Sequence, residues 1–304
     1  MRTAIAVLLL ALVAGACDRG AGDAGAPRAA GDSGATASSG ASASGARAVL
    51  AVARVPFRVP ADSEIPDGPV GAAIRRGRAI LRDTRDSLPQ NVGNALRCVS
   101  CHLQDGTRKD GMPWVGVVAR FPQYRSRNGR VITIEDRVNG CFQRSMNGHV
   151  LDVGSDAMRD IVAYLTFLSR GVPIGAEVEG QGVPRVDPLP GDTAQGARLF
   201  AANCARCHGA DGQGTVVAPP LWGPRSFNIG AGMARIRTAA AFIKHEMPFD
   251  RPGTLTDQQA YDIAAYVTSR PRPDYPPKIH DWPNGDAPPD AAYETEAGRK
   301  RTGS

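Results

Sequence analysis

Aromatic side chains are scarce in this chain: Phe, Trp and Tyr make up 6% of 304 residues, beside 35 Gly and 24 Pro. The apolar fraction of 42% is enough for real cores. With so few rings and so many loop-forming residues, however, a buried cofactor is expected to supply part of the core volume. The apolar run over residues 4–16 is short of the roughly 20 residues that a membrane-spanning helix needs. Large apolar side chains are missing between residues 18 and 48, which hold little besides Gly, Ala, Ser, Asp and Arg. Such a segment cannot bury enough surface to offset its conformational entropy, and it reads as a flexible tether.

The length leaves room for about two domains. The first residues carry an export signal: Arg2 supplies the positive start, the apolar run follows, and Ala14-Gly15-Ala16 precede Cys17. Two outcomes fit, ordinary cleavage or a lipoprotein signal in which Cys17 becomes a lipidated N-terminus. The tether directly after Cys17 favours the second. The expected location is therefore the periplasm, with Cys17 as a candidate membrane anchor.

The six cysteines of an exported protein would ordinarily suggest three disulfides. Their spacing argues otherwise. Cys98-Val99-Ser100-Cys101-His102 and Cys204-Ala205-Arg206-Cys207-His208 both fit C-x-x-C-H. In that pattern two thiols add to the vinyl groups of a haem, and the adjacent His binds the iron from one side. One match is a moderate signal, and two, each after an amphipathic helix, are a strong one.

The chain also repeats itself. Asp160-Ile161-Val162-Ala163-Tyr164-Leu165-Thr166 resembles Asp262-Ile263-Ala264-Ala265-Tyr266-Val267-Thr268, and both have helical apolar spacing. Thr256 and Gln259 form a capping box before the second. Ahead of each haem motif lies another helix. Val70, Ala73, Ile74, Gly77, Ile80 and Leu81 share one face of the first, and Ala194, Ala197, Phe200 and Ala201 one face of the second. Each unit thus reads as helix, C-x-x-C-H, irregular loop, closing helix. The predicted fold is mainly α, two class I cytochrome c-like domains in tandem, each with one covalently bound haem. The expected boundaries are a signal over 1–17, a tether over 18–48, a first domain over 49–172, a linker over 173–190, a second domain over 191–274 and a tail over 275–304.

A sixth iron ligand sets a haem's potential. Met247, followed by Pro248, lies 39 residues after His208, on the loop before the last helix. It is the expected ligand of the second haem, with Met233 and His245 as rivals. The same 39 residues counted from His102 end at Cys141. The duplication therefore sets a thiolate where the sister unit has a thioether, although a buried free thiol or a disulfide to Cys17 would also fit. An anionic thiolate favours ferric iron, so the first haem is expected at the lower potential, with electrons running from it to the second. Met112, Met146 and Met158 are weaker ligand candidates, Met158 being most simply core. His149 and His280 have no ligand context.

Lysine is absent from residues 120–144, yet arginine stands at 120, 125, 127, 130, 137 and 144, against only Glu135 and Asp136. Guanidinium groups grip oxyanions through paired donors and keep their charge. Some would neutralise haem propionates. Since the run leads into Cys141, it also reads as a site for a small oxyanion, and the net charge of +6 adds mild steering of anions. Nucleic acid is a poor partner for an exported haem protein.

Further residues resemble the thiosulfate dehydrogenases, dihaem cytochromes that couple thiosulfate to tetrathionate. They are Leu88-Pro89, Val92-Gly93-Asn94, Phe121-Pro122-Gln123-Tyr124, the run Arg137-Val138-Asn139-Gly140-Cys141-Phe142-Gln143-Arg144-Ser145-Met146-Asn147-Gly148, and Pro219-Pro220-Leu221-Trp222-Gly223. Ser226-Phe227-Asn228 and Gly230-Ala231-Gly232-Met233 continue the match, which runs from about residue 65 to 274. The resemblance implies His102/Cys141 ligation at the first haem, with thiosulfate bound there, and Met or Lys at the second. Glu246 precedes Met247 here, so an adjacent Lys ligand is missing and His208/Met247 ligation is expected. The chemistry of joining two dianions needs fixed cations, for which Arg127 and Arg137 are the candidates, with Ser145 and Gln143 as candidate hydrogen-bond donors. Cys141 would also carry a sulfur intermediate. Electrons would leave through an external cytochrome or other redox partner. Two other classes remain open: a dihaem electron carrier without a substrate, and a dihaem peroxidase, which needs an open iron position.

Overall fold

The computed structural model describes residues 52–302. The signal, Cys17 and the tether over 18–48 lie outside the described residues. Helices of eleven residues or more organise the rest: α1 Gly68–Arg82, α2 Ile134–Arg144, α3 Asp156–Phe167, α4 Thr193–Asn203, α5 Ile236–Glu246 and α6 Asp257–Thr268. Two short strand pairs join them. Parallel β1 Arg54–Val55 and β4 Glu177–Val178 set Arg54 opposite Glu177, while antiparallel β2 Gln123–Arg125 and β3 Arg130–Ile132 set Tyr124 opposite Val131.

The duplication seen in the sequence is a duplication of helix crossings. α1 packs across α3, and α4 across α6. At each crossing a glycine lets two backbones meet. A Cβ on Gly77 would lie 1.9 Å from the Asp160 carbonyl oxygen, and one on Gly196 would lie 2.0 Å from that of Asp262. No side chain fits there, so alanine at either position would force the helices apart. The repeated Asp fastens the same crossing from the other direction. Asp160 receives both prongs of Arg76 at 2.7 and 2.8 Å, and Asp262 receives the backbone N–H of Asp192 at 2.9 Å.

The buried face of α1 is Gly71, Ile74, Gly77 and Leu81. Val70, expected on that face, is 62% exposed. In α4 the buried positions are Gly196 and Phe200, while Ala194 and Ala201 face outward. Small residues left the helix phase loosely defined, and the glycine contact selects it. The capping box forms as its sequence predicts: Gln259 N–H donates to Thr256 Oγ1 at 3.2 Å, and Thr256 N–H donates to Gln259 Oε1 at 2.8 Å.

The stretch over 173–190 has no helix, as its Pro and Gly content predicts, yet it is fastened at both ends. Its first part buries Ala176 and Val178 and accepts N–H bonds from Asp110 and Met112 through the carbonyls of Gly180 and Gly182, at 2.9 and 2.8 Å. Val186 and Leu189 pack instead on Ala239, Ala240, Tyr261 and Ala264 of the second half. The two halves also share packing. Phe227, Ala231 and Ala234 of the second half join the buried cluster around Trp114, Phe142, Met146 and Ile161 of the first. The tail from 275 onward turns back to bury Asp281 and Trp282.

Candidate active site

The two haem motifs are built alike. His102 Nδ1 lies 2.6 Å from the Met112 carbonyl oxygen, and His208 Nδ1 lies 2.8 Å from that of Pro219. In each case the ring donates its Nδ1 proton to a backbone acceptor, which fixes the tautomer and leaves Nε2 free to bind iron. Burial drives the His102 pKa down to about 4 and lowers that of His208, so both rings are neutral, as metal ligation requires. Cys98 and Cys101 are half-buried, and desolvation pushes their thiol pKa up to about 12. All five described cysteines are free of disulfides.

A tryptophan accompanies each motif. Trp114 lies 5.0 Å from the His102 ring and meets Tyr164 edge-on at 6.2 Å. Trp222 meets Tyr266 edge-on at 5.7 Å and lies 5.1 Å from Phe200. The repeated Tyr of the closing helix is thus the ring on which each tryptophan rests. Around the first motif, Leu81, Trp114, Val138, Phe142 and Leu165 form an apolar cavity into which Cys98, Cys101, His102, Cys141, Ser145 and Met146 also open. Apolar walls, two thiols, one neutral imidazole and a sulfur from a facing helix fit a covalently attached haem. In the second half, Cys204 and Leu221 pack against Phe200, Trp222, Leu255, Ile263 and Val267, an apolar surround of the same kind.

Helix α2 carries the residues of the arginine-rich segment to the cavity. Thr133 caps its start by accepting from Asp136 N–H at 3.3 Å, with Asp136 bonding back at 3.1 Å. Arg137, Cys141 and Ser145 follow at intervals of four, so they fall on one stripe of the helix and its last turn. The orphan carbonyls at the end of α2 are met by buried asparagines. Asn94 donates to Ser145 O at 2.8 Å and to Ser226 O at 3.0 Å, and Asn228 donates to Gln143 O at 2.8 Å. Both halves of the chain therefore hold the helix that bears Cys141.

The six arginines sort into distinct surroundings. Arg130 pairs with Asp136 at the surface, and exposed Arg120 reaches Gln181 at 3.3 Å. Arg144 makes a two-pronged pair with buried Asp281, 2.8 Å on each side. Arg127 donates to Gly230 O at 2.7 Å and stacks 4.6 Å above the Trp282 ring. Arg137 and Arg125 have no carboxylate partner among the described residues. Arg125 was not singled out from the sequence. Burial and the neighbouring charges of Arg137, Arg127 and Arg120 bring its pKa down to about 10, which marks it as a cation lacking its anion.

Of the remaining ligand candidates, Met247 caps α5 and is half-buried. Met233 packs on the core of the first half, and Lys244 is engaged with Leu255 O at 2.6 Å. His245 Nε2 is buried without a hydrogen-bond partner. Met158 is 1% exposed core, Met146 lines the first cavity, and His149 lies at the surface. Exposed His280 lies 3.6 Å from Glu296.

Comparison with known proteins agrees with this geometry. A family profile described as "SoxA/TsdA, cytochrome c domain" matches residues 90–174, and one described as "Cytochrome C oxidase, cbb3-type, subunit III" matches residues 191–267. A thiosulfate dehydrogenase of Psychrobacter arcticus is 49% identical over 241 residues, covering 77% of this chain and 74% of the relative. One from Allochromatium vinosum is 49% identical over 230 residues, covering 72% and 85%. The solved thiosulfate dehydrogenase TsdBA of Marichromatium purpuratum, in its as-isolated form, superposes with a TM-score of 0.69 at 39% identity. That match covers 72% of this chain and 50% of the longer solved one. The chain therefore comprises two cytochrome c domains in tandem, with two covalently bound c-type haems. It belongs to the thiosulfate dehydrogenase family of dihaem cytochromes c.

Proposed function

We propose that this protein is a thiosulfate dehydrogenase that joins two thiosulfate dianions into one tetrathionate at Cys141. The observation that carries this reading is the placement of Cys141 and Ser145 in the same cavity as Cys98, Cys101 and His102, on the helix that also bears Arg137. A plain electron carrier gains nothing from a thiolate and unpaired guanidinium groups beside its haem.

The chemistry demands cations. Two dianions brought together in a low-dielectric pocket repel strongly, and fixed guanidinium groups offset that repulsion where the charge concentrates. Arg137 and Arg127, joined by Arg125, take this part, with Ser145 and Gln143 donating to sulfonate oxygens. The Cys141 sulfur, acting as thiolate, forms an S–S bond with the first thiosulfate as two electrons leave. The second thiosulfate attacks that bond, tetrathionate departs and the thiolate returns. Haems held at Cys98, Cys101 and His102 and at Cys204, Cys207 and His208 would supply the one-electron acceptors for this oxidation, with an external redox partner as their outlet. His102 and Cys141 are the proposed ligands of the first iron, and His208 and Met247 those of the second. Run backwards, the same steps reduce tetrathionate. The proposed location is the periplasm, with Cys17 as a candidate membrane anchor.

The test is thiosulfate-dependent reduction of ferricyanide by the purified holoprotein. Activity is expected in the native protein and is expected to be nearly abolished in Cys141→Ala, with both haems still attached by pyridine haemochrome assay. Native protein that reduces no ferricyanide, or a fully active Cys141→Ala, overturns the reading.

A further inference from the structure

Two half-buried arginines outside the Cys141 site carry buried N–H groups without acceptors. Arg270 and Arg272 flank Pro271 just past α6, and the tripeptide is pinned by Gly223 N–H donating to Pro271 O at 2.8 Å. The Arg270 guanidinium lies over the rings of Tyr266 and Trp222, 4.1 and 5.9 Å from their centres. That of Arg272 lies 4.5 Å above the Phe227 ring. Arg272 Nη2 donates to Val267 O at 2.7 Å, but Arg272 Nε, Arg272 Nη1 and Arg270 Nε are buried with no partner. Stacking on a ring satisfies the face of a guanidinium and leaves its in-plane N–H groups wanting an acceptor. Orphaned donors on a buried cation are costly and rare in folded proteins. Burial without a counter-charge also brings the Arg272 pKa down to about 10.

The neighbourhood identifies the missing anion. Tyr266, Trp222 and Val267 belong to the cluster that contains Cys204, one of the two cysteines that hold the second haem, while Phe227 packs with the core of the first half. A haem attached at Cys204 and Cys207 would bring two carboxylates into this half, and these are the anions to which the unpartnered guanidinium N–H groups would donate. We propose that Arg270 and Arg272 form a propionate clamp for the second haem, with their orphaned Nε and Nη1 groups as donors to its carboxylates. The clamp comes from the chain after the closing helix, so the tripeptide after α6 belongs functionally to the second haem site. It rests on haem attachment at Cys204 and Cys207 and is independent of which substrate the protein oxidises.

The clamp makes a prediction about potential. A ferric haem carries one more positive charge than a ferrous one, and a fixed cation at its edge disfavours that charge. Removing the cation favours the ferric state and lowers the midpoint potential. The experiment is a mediated optical redox titration of the holoprotein, with haem content checked beforehand. Reduced-state NMR contacts between haem protons and the Trp222 ring identify the second haem. In Arg272→Gln the oxidised-to-reduced ratio of that haem is expected to rise about tenfold at a given potential, a fall of about 59 mV for one electron. Arg270→Gln is expected to act in the same direction, and Arg272→Lys to recover most of the loss. If Arg272→Gln fails to mature with both haems, Arg272→Lys and Arg270→Gln are read in its place, each with a smaller fall. Unchanged potentials in the variants that carry both haems, or a shift confined to the other haem, overturn the proposal.

Discussion

Arg137, Arg127 and Arg125 lie on one short stretch of chain and differ in what the fold has already given them. Arg127 is committed to Gly230 O and the Trp282 ring, whereas Arg137 and Arg125 have no carboxylate of their own. An unpaired guanidinium close to a cavity is poised for a dianion, because binding supplies the counter-charge that folding did not. Arg137→Ala is expected to lower kcat/KM for thiosulfate by about 2–5 kcal/mol of transition-state stabilisation, on the order of thirtyfold to several thousandfold. Both haem spectra should stay intact. Arg137→Lys should recover part of this, since a point charge cannot reproduce the fork. Steady-state kinetics on the three proteins decides the matter, and native kinetics in Arg137→Ala places the oxyanion elsewhere. The arginines and Cys141 were legible as residues because thiolate, guanidinium and spacing are properties of the chain itself. Which arginine is free was not legible, since Asp281 lies 137 residues beyond Arg144.

Helix α2 and the tail are the elements that hold this site. The tail closes over the β2–β3 hairpin through Asp281, which takes Arg144 and also accepts from Tyr293 Oη, while Trp282 N–H donates to Arg127 O at 3.0 Å. A polar, Pro-rich C-terminus reads as a segment that lies along the surface or frays. It instead buries an ion pair whose side chains are 14% and 6% exposed. Removing one partner of such a pair strands the other charge, at a cost of about 3–5 kcal/mol. Asp281→Ala is therefore expected to lower the guanidinium midpoint of the holoprotein and to raise the thiosulfate KM as Arg127 and Arg144 lose their anchor. A loss of stability with native KM would mean that the latch is purely structural. The helices themselves were readable from apolar spacing and the Thr256 cap. Their phase was not, because Gly77 and Gly196 act through contacts with Asp160 and Asp262 on distant helices.

For the whole molecule, the link between the two haem halves matters most. Arg108, six residues after His102, pairs with Glu246, which is 3% exposed and directly precedes Met247. A buried carboxylate thus ties the proposed ligand loop of the second haem to the first half. Met247→Gly is expected to remove the red charge-transfer band of ferric Met-ligated haem and to shift one of the two midpoint potentials, with thiolate-type EPR from the first haem unaltered. If the native ferric protein lacks that band, and His245→Ala shifts the potential while Met247→Gly does not, the ligand is the imidazole with the unpartnered Nε2.

Sequence alone determined the two C-x-x-C-H motifs, the duplicated 39-residue spacing to Cys141 and Met247, the helical repeat and the family resemblance. All of these are patterns of residue type and spacing written along the chain, and none needs a tertiary contact to be read. Tertiary structure decided which charges are paired, which residues join the halves and where the tail goes. Asn94, Asn228, Asp281, Glu246 and Arg272 each meet their neighbours across long chain separations or at a ring from another element. Burial gives these polar groups their weight, since a buried donor or carboxylate must find a partner. Only the folded chain settles which groups are buried and which partner each one meets.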